Sequence, residues 1–241
     1  MRNVETWVQS KFERDARGRW RASRREVPIT SRLMVDLVAA AYADAIATHA
    51  TGKLADLGCG KAPLYGMYRD KVSAVVCVDW PGSLHGALHV DTFADLNAPL
   101  ALEPDSYDTI LATDVIEHLH TPEALFASVA RALKSGGKLI VGVPFLYWVH
   151  EAPHDFHRYT RFALEKLATD AGLSVVSLTP FAGAPEVIAD MTTKTLSGIR
   201  GMARIAYATT RALLSLRAVK ILSARTCEAM PMGYILVAQK R

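Results

Sequence analysis

Within the eleven-residue run HEAPHDFHRYT stand His150, His154 and His157, together with Glu151, Asp155, Arg158 and Tyr159. Imidazoles beside carboxylates support two kinds of chemistry, binding a transition metal or moving a proton near neutral pH. The first five residues match H-E-x-x-H, which on a helix sets both histidines around zinc with the glutamate as base. Pro153 lies inside that pattern, and a proline in a helix interior costs about 3 kcal/mol or more. With Pro144 upstream and Thr160 downstream, the run reads as a loop between a strand and a helix. The zinc-protease reading is therefore set aside and no metal is expected, with a non-helical site from His150, His154 and His157 as the open alternative.

A second constellation lies in LADLGCGKAPL. Gly58 and Gly60 allow a tight turn and a close approach of backbone to a ligand. A dinucleotide fingerprint would place a third glycine where this chain has Pro63, which disfavours a nicotinamide or flavin cofactor. Asp56 closes the run before the glycines, and Asp79 closes the next apolar run 23 residues later, where a carboxylate can accept both hydroxyls of a ribose. Asp95 follows a third, weaker run.

These residues need strands and helices to position them. KLADLG, SAVVCVDW, YDTILATDV, GKLIVGVP, LSVVSLTP and GYILVAQK read as strands, and LHVDTFADL as a weaker one. Between them lie helical patterns. The first has Leu33, Leu37, Ala40 and Ala41 at helical spacing; another runs from Thr121 as N-cap, with Pro122 at N1, to Gly136; a third is capped by Thr160 and closed by Gly172. Such alternation predicts an α/β fold, a mostly parallel sheet covered on both faces. No internal repeat, low-complexity tract or dividing linker is visible.

Half of the 241 residues are hydrophobic, enough to bury a core. No secretory leader pattern and no apolar run near the ~20 residues of a spanning helix is present, so a cytoplasmic protein is expected. Cys59, Cys77 and Cys227 are too far apart for a C-x-x-C pair and are expected to be reduced and buried. Charge is unevenly spread: residues 1–32 carry nine Lys/Arg against four Asp/Glu, residues 190–241 nine against two, and the body ten against eighteen. Basic ends suit anionic partners or simply confer solubility.

In order along the chain, DLGCG, the acidic end of VVCVDW, ADLN, YDTILATDVIEHL and LKSGGKLIVGVP resemble class I S-adenosylmethionine-dependent methyltransferases of the type-11 group over residues 52 to 180. The resemblance implies a Rossmann-like, doubly wound, mostly parallel seven-stranded sheet, with a helical insertion before the last strand. It divides the chain into a basic segment 1–32, a cofactor-binding core 33–190 and a basic insertion with the final strand, 191–241. It implies that Asp56, Gly58, Cys59 and Gly60 hold the methionine portion of S-adenosylmethionine, Asp79 the ribose, Trp80 the adenine face, and Asp95 with Leu96 the adenine edge. Asp114 and His118 would face the cofactor, Asp114 also the reaction centre.

PHDFHRYT is similar to a loop of bacterial members from polysaccharide and glycolipid pathways, implying a small or lipid-linked acceptor with a sugar hydroxyl or carboxylate. His154 or His157 is then the candidate base with Asp155 orienting it, while His150, Arg158 and Tyr159 would bind substrate. Arg158 and Asp155 could instead form a pair that shapes the loop. A quinone or other isoprenoid acceptor, or a non-catalytic cofactor-binding subunit, are the alternatives. Nucleic acid is disfavoured, because basic and aromatic residues do not interleave on one face.

From Met191 to Cys227 there is no acidic residue. One helix through residues 199–225 would carry Arg200, Arg204 and Arg211 on one face and Met202, Ile205, Leu213 and Leu216 on the other. It reads as a peripheral contact with the inner membrane surface or as a lid.

Overall fold

The structure, a computed structural model, describes residues 1–83 and 86–241. An antiparallel hairpin of β1 (Phe12–Arg14) and β2 (Trp20–Ala22) precedes α1 (Arg32–His49). There follow β3 (Gly52–Leu57), α2 (Tyr65–Tyr68), β4 (Val72–Asp79), β5 (Thr92–Phe93), β6 (Tyr107–Thr113), α3 (Pro122–Ala132) and β7 (Leu133–Pro144). The chain continues through α4 (Arg161–Asp170), β8 (Leu173–Phe181), α5 (Ala184–Thr195), α6 (Met202–Ser215) and α7 (Arg217–Thr226) to β9 (Gly233–Lys240).

The seven-stranded sheet has the order β5-β4-β3-β6-β7-β9-β8, with β5 to β7 parallel and β9 antiparallel to both neighbours. β3 pairs with β4 on one side and β6 on the other, so the sheet's switch point lies at its carboxyl end. The central strands carry runs of buried apolar residues because both faces are covered. Ile110 and Ala112 of β6 face a core with Phe126 and Val129 of α3 and Leu164 of α4, whereas Leu111 faces Met34, Tyr42 and Ile46 of α1.

Several local expectations are corrected. The buried residues of α1 are Leu33, as expected, with Met34, Val35, Val38, Ala39, Tyr42, Ala45 and Ile46, while Ala40 is exposed and Leu37 and Ala41 are half-buried. Tyr42 is among them because its ring runs under Gly142, where a Cβ would lie 2.1 Å from it. α3 stops at Ala132, not Gly136, because Leu133 is already paired with Tyr107 of β6 and the Ser106 N–H donates to the Ala132 carbonyl. Thr121 stands at its N-cap but gives its hydroxyl to the Asn97 carbonyl. Thr160 does cap α4, accepting from the Ala163 N–H at 3.3 Å.

The single helix expected over 199–225 is two, α6 and α7. α5 was not anticipated, and Leu216 is extended between α6 and α7. β9 is not an edge strand but lies between β7 and β8. Cys59 and Cys77 are buried and Cys227 is partly exposed, all three free. Among the described residues no helix is long and apolar enough to cross a membrane.

α5 carries an ion pair, Asp190 with Lys194, both side chains 1% exposed. Burial lowers the Lys194 ammonium and raises the Asp190 carboxyl from their ordinary values, each opposed by its partner. The Lys194 ammonium also lies 4.3 Å from the ring centre of Tyr147 and 5.3 Å from that of Trp148, in the loop after β7.

Candidate active site

The glycine turn closes β3 at the switch point. The N–H groups of Gly58 and Cys59 both donate to the Val78 carbonyl, at 2.8 and 3.1 Å, which pins the turn to β4. Gly58 has φ +71°, and a Cβ there would lie 2.3 Å from a methyl of Val115, so both conformation and space demand glycine. Gly60 has φ +52°, and its N–H donates to Asp79 Oδ2 at 2.8 Å. Asp79 Oδ1 accepts from the Trp80 N–H, also at 2.8 Å, so among the described residues each oxygen of this buried carboxylate accepts one hydrogen bond and retains a lone pair.

Asp56 is buried beneath the turn and accepts from the Tyr68 hydroxyl at 2.9 Å. Burial, reinforced by the charge of Asp79 and opposed by Tyr68, pushes its carboxyl up to about 7. Cys59 is sealed into a small cluster with Cys77. Trp80 stands exposed on the rim, Asp95 is exposed and bonded to Asn97, and Leu96 is buried. The expected cofactor residues thus gather around the carboxyl ends of β3 and β4 and the segment after β5.

Asp56 carries a pH signature. Its folded carboxyl is raised, so the stability it contributes is full below its unfolded value of 3.8 and is lost as pH climbs through about 7. The thermal midpoint of cofactor-free Asp56→Asn should therefore exceed that of wild type by less at pH 5.5 than at pH 8. An equal gap at both pH values would count against a buried, late-ionising Asp56.

Asp114, at the end of β6, has φ +52° and its N–H donates to the Gly142 carbonyl. It was expected to face the cofactor and the reaction centre, yet both its oxygens are engaged by the protein. The Tyr42 hydroxyl donates to Oδ1 at 2.6 Å and the Lys11 ammonium to Oδ2 at 3.0 Å. Burial opposes the charge of Lys11, but Asp114 wins and holds the ammonium above the usual lysine value. Neither partner was anticipated. Lys11 comes from the amino-terminal segment, which crosses the outside of the glycine turn: Trp7 Nε1 donates to the Ala62 carbonyl at 3.0 Å and Gln9 Nε2 to the Pro63 carbonyl at 3.2 Å. No spacing rule links positions 103 residues apart, so only tertiary structure shows the contact.

The HEAPHDFHRYT run is a loop, as its proline requires. Its roles are redistributed. Asp155 is not turned toward His154 or His157. It receives Arg158 at 2.6 and 2.7 Å and the His150 N–H at 2.9 Å, which together hold its carboxyl down at about 2 against the opposing effect of burial. Arg158 also donates to the carbonyls of Trp148 and His157, so it is a strut of the loop and not an open anion site. Tyr159 is buried and donates to the Ile116 carbonyl at 2.9 Å, which excludes stacking on a substrate. His157 packs on Tyr159, with its Nε2 buried and unpartnered. His154 is exposed, its ring 5.5 Å from that of Trp80.

After β6, Glu117 is fully buried and its carbonyl accepts the N–H groups of Phe156 and His157, fastening the loop. Burial, then the charge of Asp114, raises its carboxyl well above the usual range. His118 faces the loop, with Nδ1 2.9 Å from the His154 carbonyl and its ring 4.9 Å from that of His150. The trio His150, His154 and His157 does not converge.

Residues 24–178, more than half of the chain, match the sequence profile of a family described as "Methyltransferase domain". Over 200 residues the chain is 25% identical to a protein named "Ubiquinone biosynthesis O-methyltransferase" from Saccharophagus degradans, covering 72% of this chain and 84% of that one. Among solved structures, it resembles an S-adenosylmethionine-dependent methyltransferase from Mesorhizobium loti, with TM-score 0.55 and 17% identity over 83% of this chain and 96% of that chain. It also resembles the 4+2 cyclase SpnF, with TM-score 0.58 and 16% identity over 85% and 82% of the two chains. At such identities the solved structures speak for the fold, which carries reactions of more than one kind.

Proposed function

We propose an acceptor for a chain that belongs to the methyltransferase-domain family and is an S-adenosylmethionine-dependent methyltransferase: a hydroxyl or carboxylate oxygen of a lipid-linked molecule, met at an anionic membrane surface. The residues of the β3 turn fit the donor. Asp79 keeps lone pairs for ribose hydroxyls, Gly58, Cys59 and Gly60 offer close-lying backbone, and the buried carboxyl of Asp56 suits a cationic ligand. Trp80 would cover one adenine face, with Asp95 and Leu96 at the ring's edge.

When bound, the donor supplies a methyl group already activated on a sulfonium. What remains for the protein is alignment, ~7–11 kcal/mol in well-placed cases, and removal of an acceptor proton, 10²–10⁴-fold for a typical general base. His154, exposed beside Trp80, is the base in this reading. Arg158 and Asp155 position its loop.

One observation supports the membrane surface above all. On and around α6 and α7, Ile199, Ile205, Leu213, Leu216, Ile221 and Leu222 are all 46–57% exposed, so the apolar face does not pack down as a lid. Arg204, Arg211, Arg217, Lys220 and Arg225 flank it with no acidic residue between Met191 and Cys227. Exposed apolar side chains set among cations suit an interface of anionic lipid. A lipid-linked sugar is the first acceptor in this reading. A prenylated phenol is the second, supported by the name of the Saccharophagus relative.

The test incubates the protein with methyl-labelled S-adenosylmethionine and an extract of the cells that make it, then separates organic from aqueous phases. Label in the organic phase, reduced in Arg204→Glu/Arg211→Glu, is expected, and glycosidic cleavage of the labelled lipid tells a sugar from a phenol. Label confined to water-soluble molecules would overturn the membrane-surface acceptor, and no label at all would favour a silent cofactor-binding subunit.

A further inference from the structure

Glu117 is the least accommodated side chain of the site. It is 0% exposed, and neither carboxylate oxygen has a hydrogen-bond partner. A buried carboxyl left without partners is expensive, and natural chains keep one only where something answers it. Its neighbours are two imidazoles. His118 Nε2 and His150 Nε2 each lie 3.8 Å from Glu117 Oε1, too far for a hydrogen bond. Ligand atoms of all three residues fall within 4.8 Å of one another. Two ligands, each ~2.0–2.2 Å from one ion and set tetrahedrally, stand ~3.4 Å apart, so the two carboxylate–imidazole separations of 3.8 Å are a few tenths of an ångström long, and the widest of the three would close by up to ~1.4 Å around a cation.

The far side of each ring is held as well. His118 Nδ1 is 2.9 Å from the His154 carbonyl, which can only accept, so that nitrogen carries the proton and Nε2 presents its lone pair toward Glu117. His150 Nδ1 lies 3.3 Å from Asp155 Oδ2, within a cluster in which Arg158 fixes Asp155 and comes within 3.4 Å of the same nitrogen. An outer carbonyl or carboxylate that orients a ring from behind is the usual support of a metal-bound histidine. Glu151 Oε2, 3.7 Å from His118 Nε2, stands at the same opening.

We propose that Glu117, His118 and His150 form a binding site for one divalent first-row transition-metal cation. Two imidazoles and one carboxylate suit zinc, manganese or iron better than magnesium or calcium, which prefer all-oxygen sets. The site differs from the H-E-x-x-H motif, of which it uses His150 and neither His154 nor a helix. Its role rests on the methyl-transfer reading: three protein ligands leave room for an acceptor oxygen, whose proton a bound cation would loosen.

Existence of the site is tested without donor or acceptor. Protein stripped with a chelator is dialysed against Zn²⁺, and against Co²⁺ for its visible ligand-field bands. One ion per chain is expected, with the thermal midpoint raised by Zn²⁺ in wild type and unmoved in Glu117→Gln. His118→Ala and His150→Ala should each weaken binding at least tenfold, whereas His120→Ala, exposed and outside the cluster, should not. Absence of saturable binding by folded wild type, or unchanged affinity in the His118→Ala/His150→Ala double variant, overturns the proposal. Donor binding to the same sample, followed by calorimetry, reports separately on the methyl-transfer reading.

Discussion

Replacing Asp79 with alanine is expected to lower affinity for S-adenosylmethionine at least a hundredfold. Among the described residues the buried carboxylate accepts one hydrogen bond on each oxygen, which leaves the capacity needed for two ribose hydroxyls. Hydrogen bonds to a charged group contribute roughly 1.5–3 kcal/mol each, so losing two predicts a drop of about 10²–10⁴. Alanine also releases the N–H groups of Gly60 and Trp80, which loosens the glycine turn after β3. Calorimetric titration measures the effect, with the thermal midpoint as the check on folding. An unchanged dissociation constant in a folded variant would remove Asp79 from the donor site.

Lys194→Met is expected to destabilise the chain by about 3–5 kcal/mol, the usual consequence of stranding one member of a buried ion pair. Both side chains are 1% exposed and Asp190 Oδ1 already lacks a partner, so the remaining carboxylate has no solvent to turn to. The Asp190→Asn/Lys194→Met double variant should recover most of the loss, because an uncharged pair carries no uncompensated charge. Urea unfolding of the two variants decides the point. Equal midpoints for single and double would mean that lost packing of the Lys194 stem, against Tyr147 and Trp148, dominates over charge.

Features with local causes were legible in the sequence. Gly58, Gly60, Asp56 and Asp79 announce themselves because a turn with positive φ and a carboxylate ending a strand are properties of a few consecutive residues. The alternation of apolar runs with capped helices carried the parallel sheet for the same reason. What escaped depends on distance. Lys11 meets Asp114 only because the amino-terminal segment crosses the glycine turn, and Tyr42 joins them only because Gly142 leaves room beneath its strand. The pairing of Asp155 with Arg158 is legible as the alternative in which the two shape the loop, whereas the hydrogen bonds of Arg158 and Tyr159 to nearby main chain are not. Glu117 carried a faint signal, an acidic residue between Ile116 and His118 in DVIEHL, without any hint that His150 would come to face it.

β9 lies between β7 and β8, yet of the sheet's seven strands it is the last to be synthesised. About 50 residues, those of α5 to α7, separate it from β8. At roughly 5–20 residues per second, synthesis leaves β7 and β8 for several seconds as two bare edges across a gap one strand wide. Each is an unpaired ladder open to a foreign strand, the usual entry to aggregation. The nascent chain therefore passes its most vulnerable moment late, with the glycine turn after β3 already formed and β8 still unjoined to the sheet.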